Sequence, residues 1–304
     1  MPKRDDIRCS GRLRSRELAT MRTNKMKLGV IAETRYLAQN MPEAAIAVLQ
    51  ARGYAVDLIS PDGGHLAVDS GVFTDANGQR FRLRDYDVVV SRNRNALGLV
   101  LLRYAEAAGI AVINTHAAVQ RVRNKAEMAV ALALASVRAA PTLLAGATET
   151  LPAPLDGRFP VILKATYGDN GQGLRLVRNH DELSQLSWSS EVVIVQQYLP
   201  NDTYDLKLYV CGEHIFAVRK PSPFNGDPRG PSISISITAE MAALARRCGE
   251  VFGLELYGVD CIETETGPVV IEVNDFPNYT GIPGIGELVA DEILMCAEQK
   301  RDRP

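Results

Sequence analysis

Midway along the chain the spacing of apolar runs changes, and this change restricts the available folds more than any other feature. From Lys27 to Thr115 the strand-like runs KLGVIAE, AVDLISP, DYDVVVSR and AVINT are separated by the helical stretches PEAAIAVLQARG and ALGLVLLRYAEAAG. Parallel strands need such crossovers, because a tight turn joins only antiparallel neighbours. A parallel sheet is therefore expected here, with its ligand edge at the C-terminal ends of the strands. Arg92 and Arg94, in SRNRN, fall at such an end. One insert, GVFTDANGQRFRL, breaks the alternation and carries Asn77-Gly78 as a hairpin turn. From Pro160 onward the runs crowd together: FPVILKAT, LRLVR, VVIVQQYL, YDLKLYVCG and EHIFAVRK, then a helix TAEMAALARRCGEVFG, then YGVDCIET and PVVIEVN. Strands this close imply antiparallel α+β architecture. Between the two patterns, Asn124 to Val137 reads as a helix stopped by Pro141.

The expected organisation is a basic tail over 1–25, an N-terminal α/β domain over 26–118, a central subdomain over 119–199 and a C-terminal subdomain over 200–304. Residues 1–27 hold nine Lys/Arg against Asp5, Asp6 and Glu17 and lack an apolar segment, which excludes a secretory signal and reads as a disordered tail or an upstream start before Met21 or Met26. The net charge of -2 supplies no global field for nucleic acid or membrane, and no apolar run reaches the roughly 18 residues of a membrane span. The five cysteines are scattered without CxxC spacing and the four histidines are equally dispersed. This pattern argues against disulfides and against a zinc site, and fits a cytoplasmic protein.

Three segments carry chemistry. KATYGDNGQG places Lys164 at the end of a strand, ahead of Gly168, Asn170, Gly171 and Gly173. It joins two antiparallel strands and does not lead into a helix, so it is not the common phosphate loop. Such a glycine hairpin can fold over a triphosphate while Lys164 neutralises charge beneath it, or it can be an ordinary hairpin. In VVIVQQYLPNDTYDLKLYV the strand ends in polar residues and a proline, which either exposes a backbone strip to the edge of adenine or simply enters a turn. Asp205 and Lys207 share a face by period-two spacing. GVDCIETETGPVVIEVN is the strongest of the three. A three- or five-residue connection sets Asp260 opposite Glu272, with Asn274 on the same face. Two carboxylates and an amide oxygen suit Mg²⁺, which takes its remaining ligands from water and phosphates; the spacing alone also allows an ordinary hairpin with its charges turned to solvent.

A lysine under a glycine hairpin, a polar strand end and a late D…E-x-N set, in that order, resemble the ATP-grasp superfamily from about Asn124 to Leu294. The resemblance implies an ATP-grasp fold preceded by a Rossmann-like (pre-ATP-grasp) domain, α/β followed by α+β. It assigns Lys125 (in NKAEM) and Lys164 to phosphate, Gln196, Gln197, Tyr198 and Leu199 to the adenine hinge, and Asp260, Glu272 and Asn274 to one or two Mg²⁺, with Mn²⁺ as an alternative. ATP is the implied co-substrate, and the glycine loop, Asp205 and Lys207 complete its expected site.

Two branches compete. RimK-like glutamate ligases are echoed by YDVVVSR, NKAEM, YDLKLYVCG and GVDCI…VIEVN, and inositol trisphosphate kinases by LKLYVCGEHIFAVRKPS and NDFPNYTG. The ligase branch implies activation of a carboxylate on a small molecule or peptide as an acyl phosphate, captured by an amine, with Arg219 and Lys220 assisting at the phosphoryl group and Arg92 or Arg94 clamping a substrate carboxylate. The kinase branch would bind acceptor phosphates through Lys207, Arg219, Lys220 and Arg229. A nucleotide-binding module without turnover is the third reading. KPSPFNGDPRGP departs from the basic, Asn-containing ligase segment, and Pro221–Pro231 is expected to be a mobile loop that orders over substrate. A homo-oligomer is compatible with the sequence.

Overall fold

The computed structural model describes residues 25–37, 39–148, 159–168, 173–186, 188, 192–227 and 229–301. In chain order the elements are β1 (Lys27–Ala32), α1 (Thr34–Leu37), α2 (Asn40–Ala51), β2 (Ala55–Ile59), β3 (His65–Ala67), β4 (Val72–Thr74), β5 (Arg80–Arg82), β6 (Val88–Arg92), α3 (Ala96–Ala107), β7 (Ala111–Ile113) and α4 (His116–Arg123). They continue with α5 (Lys125–Leu134), β8 (Thr142–Ala145), β9 (Val161–Lys164), β10 (Leu174–Val177), α6 (His180–Ser184), β11 (Val193–Gln197), β12 (Tyr204–Cys211) and β13 (His214–Pro221). The last are β14 (Ile233–Ile235), α7 (Ala239–Phe252), β15 (Leu256–Thr264), β16 (Gly267–Asp275) and α8 (Ile285–Arg301).

The alternating first third folds as a parallel sheet in the order β2-β1-β6-β7. Its continuous apolar strands are explained by burial on both faces. Leu28, Val88 and Val90 enter one core, whereas Ile31 and Val89 enter another with Leu101 and Leu102 of α3. The insert is a small antiparallel sheet, β3-β4-β5. At its expected turn Gly78 adopts φ +82°, and the Asp75 carboxylate accepts from the amides of Asn77 and Gln79, each at 2.9 Å.

The helix expected over Asn124–Val137 is α5, and α4 runs directly into it. Asn124 ends α4 and caps α5, its side chain accepting from the amides of Ala126 and Glu127. That cap fixes where α5 begins, and so puts Lys125 on its first turn.

Beyond Pro160 the strands are antiparallel as the crowding implied. One sheet runs β10-β9-β11-β8, and the other β14-β13-β12-β15-β16. In the five-stranded sheet, alternation sends Leu206, Leu208, Val259, Cys261 and Val273 toward α7, where they pack with Met241, Ala245, Cys248 and Phe252. The other face carries Lys207, Tyr209 and Asp260 toward the cleft. Helix α8 lies between this face and the parallel sheet. Ile285, Val289 and Ile293 share one core with Leu28, Val90, Tyr209, Cys211 and Leu256. Among the described residues no helix is long and apolar enough to cross a membrane. The tail over 1–24 lies outside the described residues.

Candidate active site

Strand β12 sets the cleft in rows. Lys207 pairs with Asp260 across β12 and β15, and Asp260 pairs with Glu272 across β15 and β16, so three charged side chains stand abreast on one face. The next row is Tyr209, Gly258 and Asn274. A Cβ at Gly258 would lie 3.3 Å from Pro277 Cβ, which explains the small residue in the middle of that row.

The connection between β15 and β16 is two residues, not the expected three or five. With a regular ladder, the pairing of Thr264 with Gly267 would place Ile271 opposite Asp260 and turn Glu272 to the helical face. A bulge between Asp260 and Cys261 corrects this: Cys261 pairs with Val270 but Asp260 pairs with Glu272, leaving Ile271 as the extra residue. Glu272 and Asn274 are thereby returned to the cleft. The Ile271 carbonyl accepts from Lys164 Nζ at 3.0 Å.

Lys125 and Lys164 are both buried, at 7% and 5% exposure. Lys125 Nζ lies 3.2 Å from Glu272 Oε1 and donates to the Gly168 carbonyl at 2.9 Å. Lys207 Nζ lies 2.6 Å from Asp260 Oδ2. Each carboxylate thus has its own ammonium. Burial alone would raise the Glu272 carboxyl, but Lys125 and Lys164 hold it below its ordinary range. Burial likewise works against the Lys207 ammonium and is outweighed by Asp260, so its pKa rises. Lys164 goes the other way: desolvation lowers it, Lys125 adds to the effect, and Glu272 opposes it incompletely. A cationic cluster whose charge is costly to keep buried is a ready receptor for phosphate.

Asp260, Glu272 and Asn274 therefore converge on the cleft face, through the bulge and not through the expected connection length. Asn274 Nδ2 lies 3.4 Å from Asp260 Oδ2, so the amide belongs to the same cluster. Among the described residues no group of three or more His, Cys, Asp or Glu is placed to hold a metal. A set of two carboxylates and one amide fits Mg²⁺ because that ion completes its octahedron with water and phosphate oxygens.

The glycine loop is described only at its ends; Asn170 and Gly171 lie outside the described residues. Gly173 has φ +75°, and a Cβ there would sit 2.8 Å from that of Ala165, which explains the residue. Gln196, Gln197, Tyr198 and Leu199 line the cleft. Two of the hinge donors are already used: the Gln197 amide donates to Pro141 O at 2.9 Å and the Tyr198 amide to Pro160 O at 3.3 Å. Any edge-reading falls to the other backbone groups of the segment. Asp205 is buried, accepts from Asn201 Nδ2 at 2.6 Å, and is raised by desolvation. Lys220 faces Asp205 across β12–β13 and lines the cleft, its pKa lowered by burial and by Lys207.

Two expected residues do not reach the site. Arg219 precedes Lys220 on a strand, so alternation sends it to the opposite face, where it makes a two-pronged bond to Glu263 at 2.7 and 3.0 Å. Arg229 is 93% exposed beside Asp227 and is not among the residues lining the cleft. Nor is the described part of Pro221–Pro231 a free strap. Ser222 N donates to Thr203 O at 2.8 Å, and Asn225 Nδ2 donates to the carbonyls of Asn201 and Asp202. A Cβ at Gly226 would lie 2.5 Å from Thr203 O, so the turn is packed against residues 201–203.

Arg92 and Arg94 do come to the cleft, but with partners. Arg92 donates to the Phe276 carbonyl and to Gln39 Oε1, and its guanidinium stacks 4.9 Å from the Tyr36 ring centroid. Arg94 Nη1 lies 2.6 Å from Asp275 Oδ1. With Asn278 Oδ1 accepting from Met41 N at 2.9 Å, they lock the parallel sheet to the end of β16. Phe276 and Tyr279, nearly fully buried, adopt φ +34° and +50° in this seam. Aromatic residues seldom hold such conformations, and their surroundings enforce them here. Sequence reasoning missed the seam, the bulge and the arginines Arg35 and Arg123. Only NDFPNYTG, with turn-forming residues at and beyond the end of β16, signalled any of it.

A cleft of about 670 Å³ between two antiparallel sheets, with paired lysines on one wall, a carboxylate hairpin on another and a parallel α/β domain closing the end, defines an ATP-grasp protein. The RimK-like ATP-grasp domain model matches residues 122–296, more than half the chain, and the protein belongs to that family. It is 25% identical over 292 residues to a probable alpha-L-glutamate ligase of Maridesulfovibrio salexigens, covering 90% of this chain and 96% of the relative. A relative of the same description from Serratia proteamaculans is 26% identical over 298 residues, covering 92% and 97%. The crystal structure of a RimK domain ATP-grasp protein from Sphaerobacter thermophilus superposes with TM-score 0.70 at 22% identity, over 90% of this chain and 98% of that one. D-alanine–D-alanine ligase of Bacillus anthracis, complexed with ATP, gives 0.68 at 16% identity over 92% and 99%.

Proposed function

We propose that the protein is an ATP- and Mg²⁺-dependent carboxylate-amine ligase that joins an amino acid, with glutamate as the leading candidate, to the carboxylate of a small molecule or peptide. The observation that carries this reading is the convergence of Lys125, Lys164 and Lys207 on the Asp260–Glu272 pair inside one cleft. Family membership and the relatives described as probable alpha-L-glutamate ligases support it.

In this reading the substrate carboxylate attacks the γ-phosphorus of ATP and ADP departs. The resulting acyl phosphate is then attacked at carbon by the amine, which expels phosphate and loses a proton. Mg²⁺ held by Asp260, Glu272 and Asn274 supplies charge neutralisation to the phosphates. Lys125 and Lys164 bind phosphate oxygens from beneath the glycine loop, and Lys220, opposite Asp205, faces the transferring group. Arg92 and Arg94 keep the α/β domain closed on β16 and present a cationic wall to substrate. Little proton chemistry is asked of any side chain; positioning and charge neutralisation do the work.

A kinase acting on inositol phosphates needs a strongly cationic acceptor site. Arg219, bonded to Glu263, is lost to both readings, whereas Arg229, outside the cleft, was assigned to the kinase alone, and its absence favours the ligase. The test is to incubate the protein with MgATP and, in turn, amino acids, dipeptides and inositol phosphates. Joint release of ADP and free phosphate with an amino acid or dipeptide is expected. ADP without free phosphate, with phosphate moved to an inositol phosphate, overturns the reading, and so does the absence of any turnover.

A further inference from the structure

The sheet face that carries Lys164 and Gln196 continues past the cleft. Register sets Ile194 between Lys164 and Leu144, and Gln196 between Ile162 and Thr142, all on one face. Val193 and Val195 point the other way, into the core of that sheet, so Ile194, 1% exposed, is buried on the cleft side. Helix α5 roofs this part of the face. Together they enclose a separate cavity of about 240 Å³, walled by Met128 and Leu132 of α5, by Leu144 and Ile194, and by Val270 and Ile271 of β16. Val130 and Leu144, also on its wall, are 46% and 37% exposed and form its mouth.

The polar groups around this cavity are already committed. Thr142 Oγ1 donates to the Ala140 carbonyl at 2.9 Å and accepts from Gln196 Nε2 at 3.3 Å. Lys125 and Lys164 line it too, but their ammoniums are held by Glu272 and by the carbonyls of Gly168 and Ile271. What they leave to the apolar side is their methylene stems. A charged occupant would be desolvated here without a partner, whereas a compact uncharged one would lose nothing. An apolar cavity of roughly 150 Å³ takes up benzene. The larger volume here admits a fused pair of rings.

This cavity is no side annex. Lys125, Lys164, Gln196 and Ile271 line the cleft as well, so a wall one side chain thick divides the two spaces. We propose that the cavity behind the two buried lysines binds a small uncharged aromatic or aliphatic ligand, and that its occupancy tightens the hold of the cleft on nucleotide. The lysine stems are the link. With an apolar group packed behind them, Lys125 and Lys164 lose the space into which they can withdraw and are held toward phosphate. This coupling rests on the nucleotide reading of the cleft; the site itself does not.

The test uses the full chain, with indole as probe and octanoate as an anionic comparison. Indole at ten times its Kd is expected to raise the melting temperature by about 3 °C, and octanoate at the same concentration by less than about 1 °C. In calorimetry with Mg²⁺ and a non-hydrolysable ATP analogue, indole should tighten nucleotide about fivefold, and nucleotide should tighten indole by the same factor. Ala133→Phe, which sets a ring at an exposed lining position of α5, should block indole, and Leu144→Ser, on the opposite wall, should weaken it by about fivefold or more while leaving nucleotide affinity within about twofold. No binding of indole to wild type, octanoate bound as tightly as indole, or indole binding unchanged in both variants overturns the site. Indole bound as stated with nucleotide affinity moved less than about twofold overturns the coupling. If nucleotide does not bind at all, the nucleotide reading and the coupling fail together, and the loss of indole binding in Ala133→Phe still establishes the site.

Discussion

Replacing Lys207 with Met tests whether the lysines stand in for cations at the proposed metal site. Lys207 and Asp260 side chains are each 19% exposed and their charged atoms lie 2.6 Å apart. Removing one member of a buried pair leaves the other uncompensated and costs about 3–5 kcal/mol. The residual exposure of Asp260 and the neighbouring Lys220 lower that toward about 2–3 kcal/mol. For a chain of this size each kcal/mol moves the melting temperature by about 2 °C, so a fall of about 4–6 °C is expected without metal. Mg²⁺ should then restore what the ammonium supplied. In thermal denaturation with millimolar Mg²⁺ and no nucleotide, the variant should gain most of the lost stability, whereas wild type, whose carboxylate is already paired, should gain little. Equal Mg²⁺ shifts in both proteins would refute the placement of a metal at Asp260.

Glu272→Gln removes one carboxylate of the pair on the cleft face; ATP turnover should fall by about 10²-fold or more, as when a preorganised electrostatic group is lost, and a drop below tenfold would contradict its proposed role. Arg219→Ala should change kcat/KM less than twofold and cost at most about 1 kcal/mol, since its pair with Glu263 is solvent-exposed. Glu292 packs against Gly212 and bonds the Cys296 thiol at 3.0 Å, and desolvation, aided by Glu255 and Glu213 and opposed by Cys296 and His214, raises its carboxyl. A raised carboxyl contributes stability below its unfolded pKa and loses it as pH rises through the folded value. Glu292→Gln, which keeps an acceptor for Cys296, should therefore melt higher than wild type at pH 8, with the difference closing toward pH 4. A gap that widens on acidification would reverse that assignment.

Periodicity made much of this molecule legible. Alternating and crowded strands separate the parallel sheet from the antiparallel ones because crossover length dictates strand direction, and Glu272 and Asn274 share a face because side chains alternate, whereas Asp260 joins them only through the bulge. The same alternation, applied to β13, was enough to exclude Arg219 once Lys220 was assigned to the cleft. What sequence could not supply was register and tertiary partnership. The bulge at Ile271 has no compositional mark, since Ile serves equally in a regular strand. Arg123 is a single charge in an ordinary helix whose surroundings, Glu33, Arg94 and Asp275, are distant in the chain. Phe276 and Tyr279 hold positive φ against their own preference, a case of packing overriding propensity.

Helix α8 also sets a timetable for assembly. Leu28, Val88, Val90 and Ile113 of the parallel sheet share their core with Ile285, Val289 and Ile293, about 170 residues later in the chain. At roughly 5–20 residues per second of synthesis, that sheet waits about ten to thirty seconds with one apolar face covered only by α2. The early domain is thus an obligate client of the late helix. During that interval the exposed face is a natural target for holding chaperones, and a mutation in α8 would be felt first as poor yield, before any effect on the cleft could be measured.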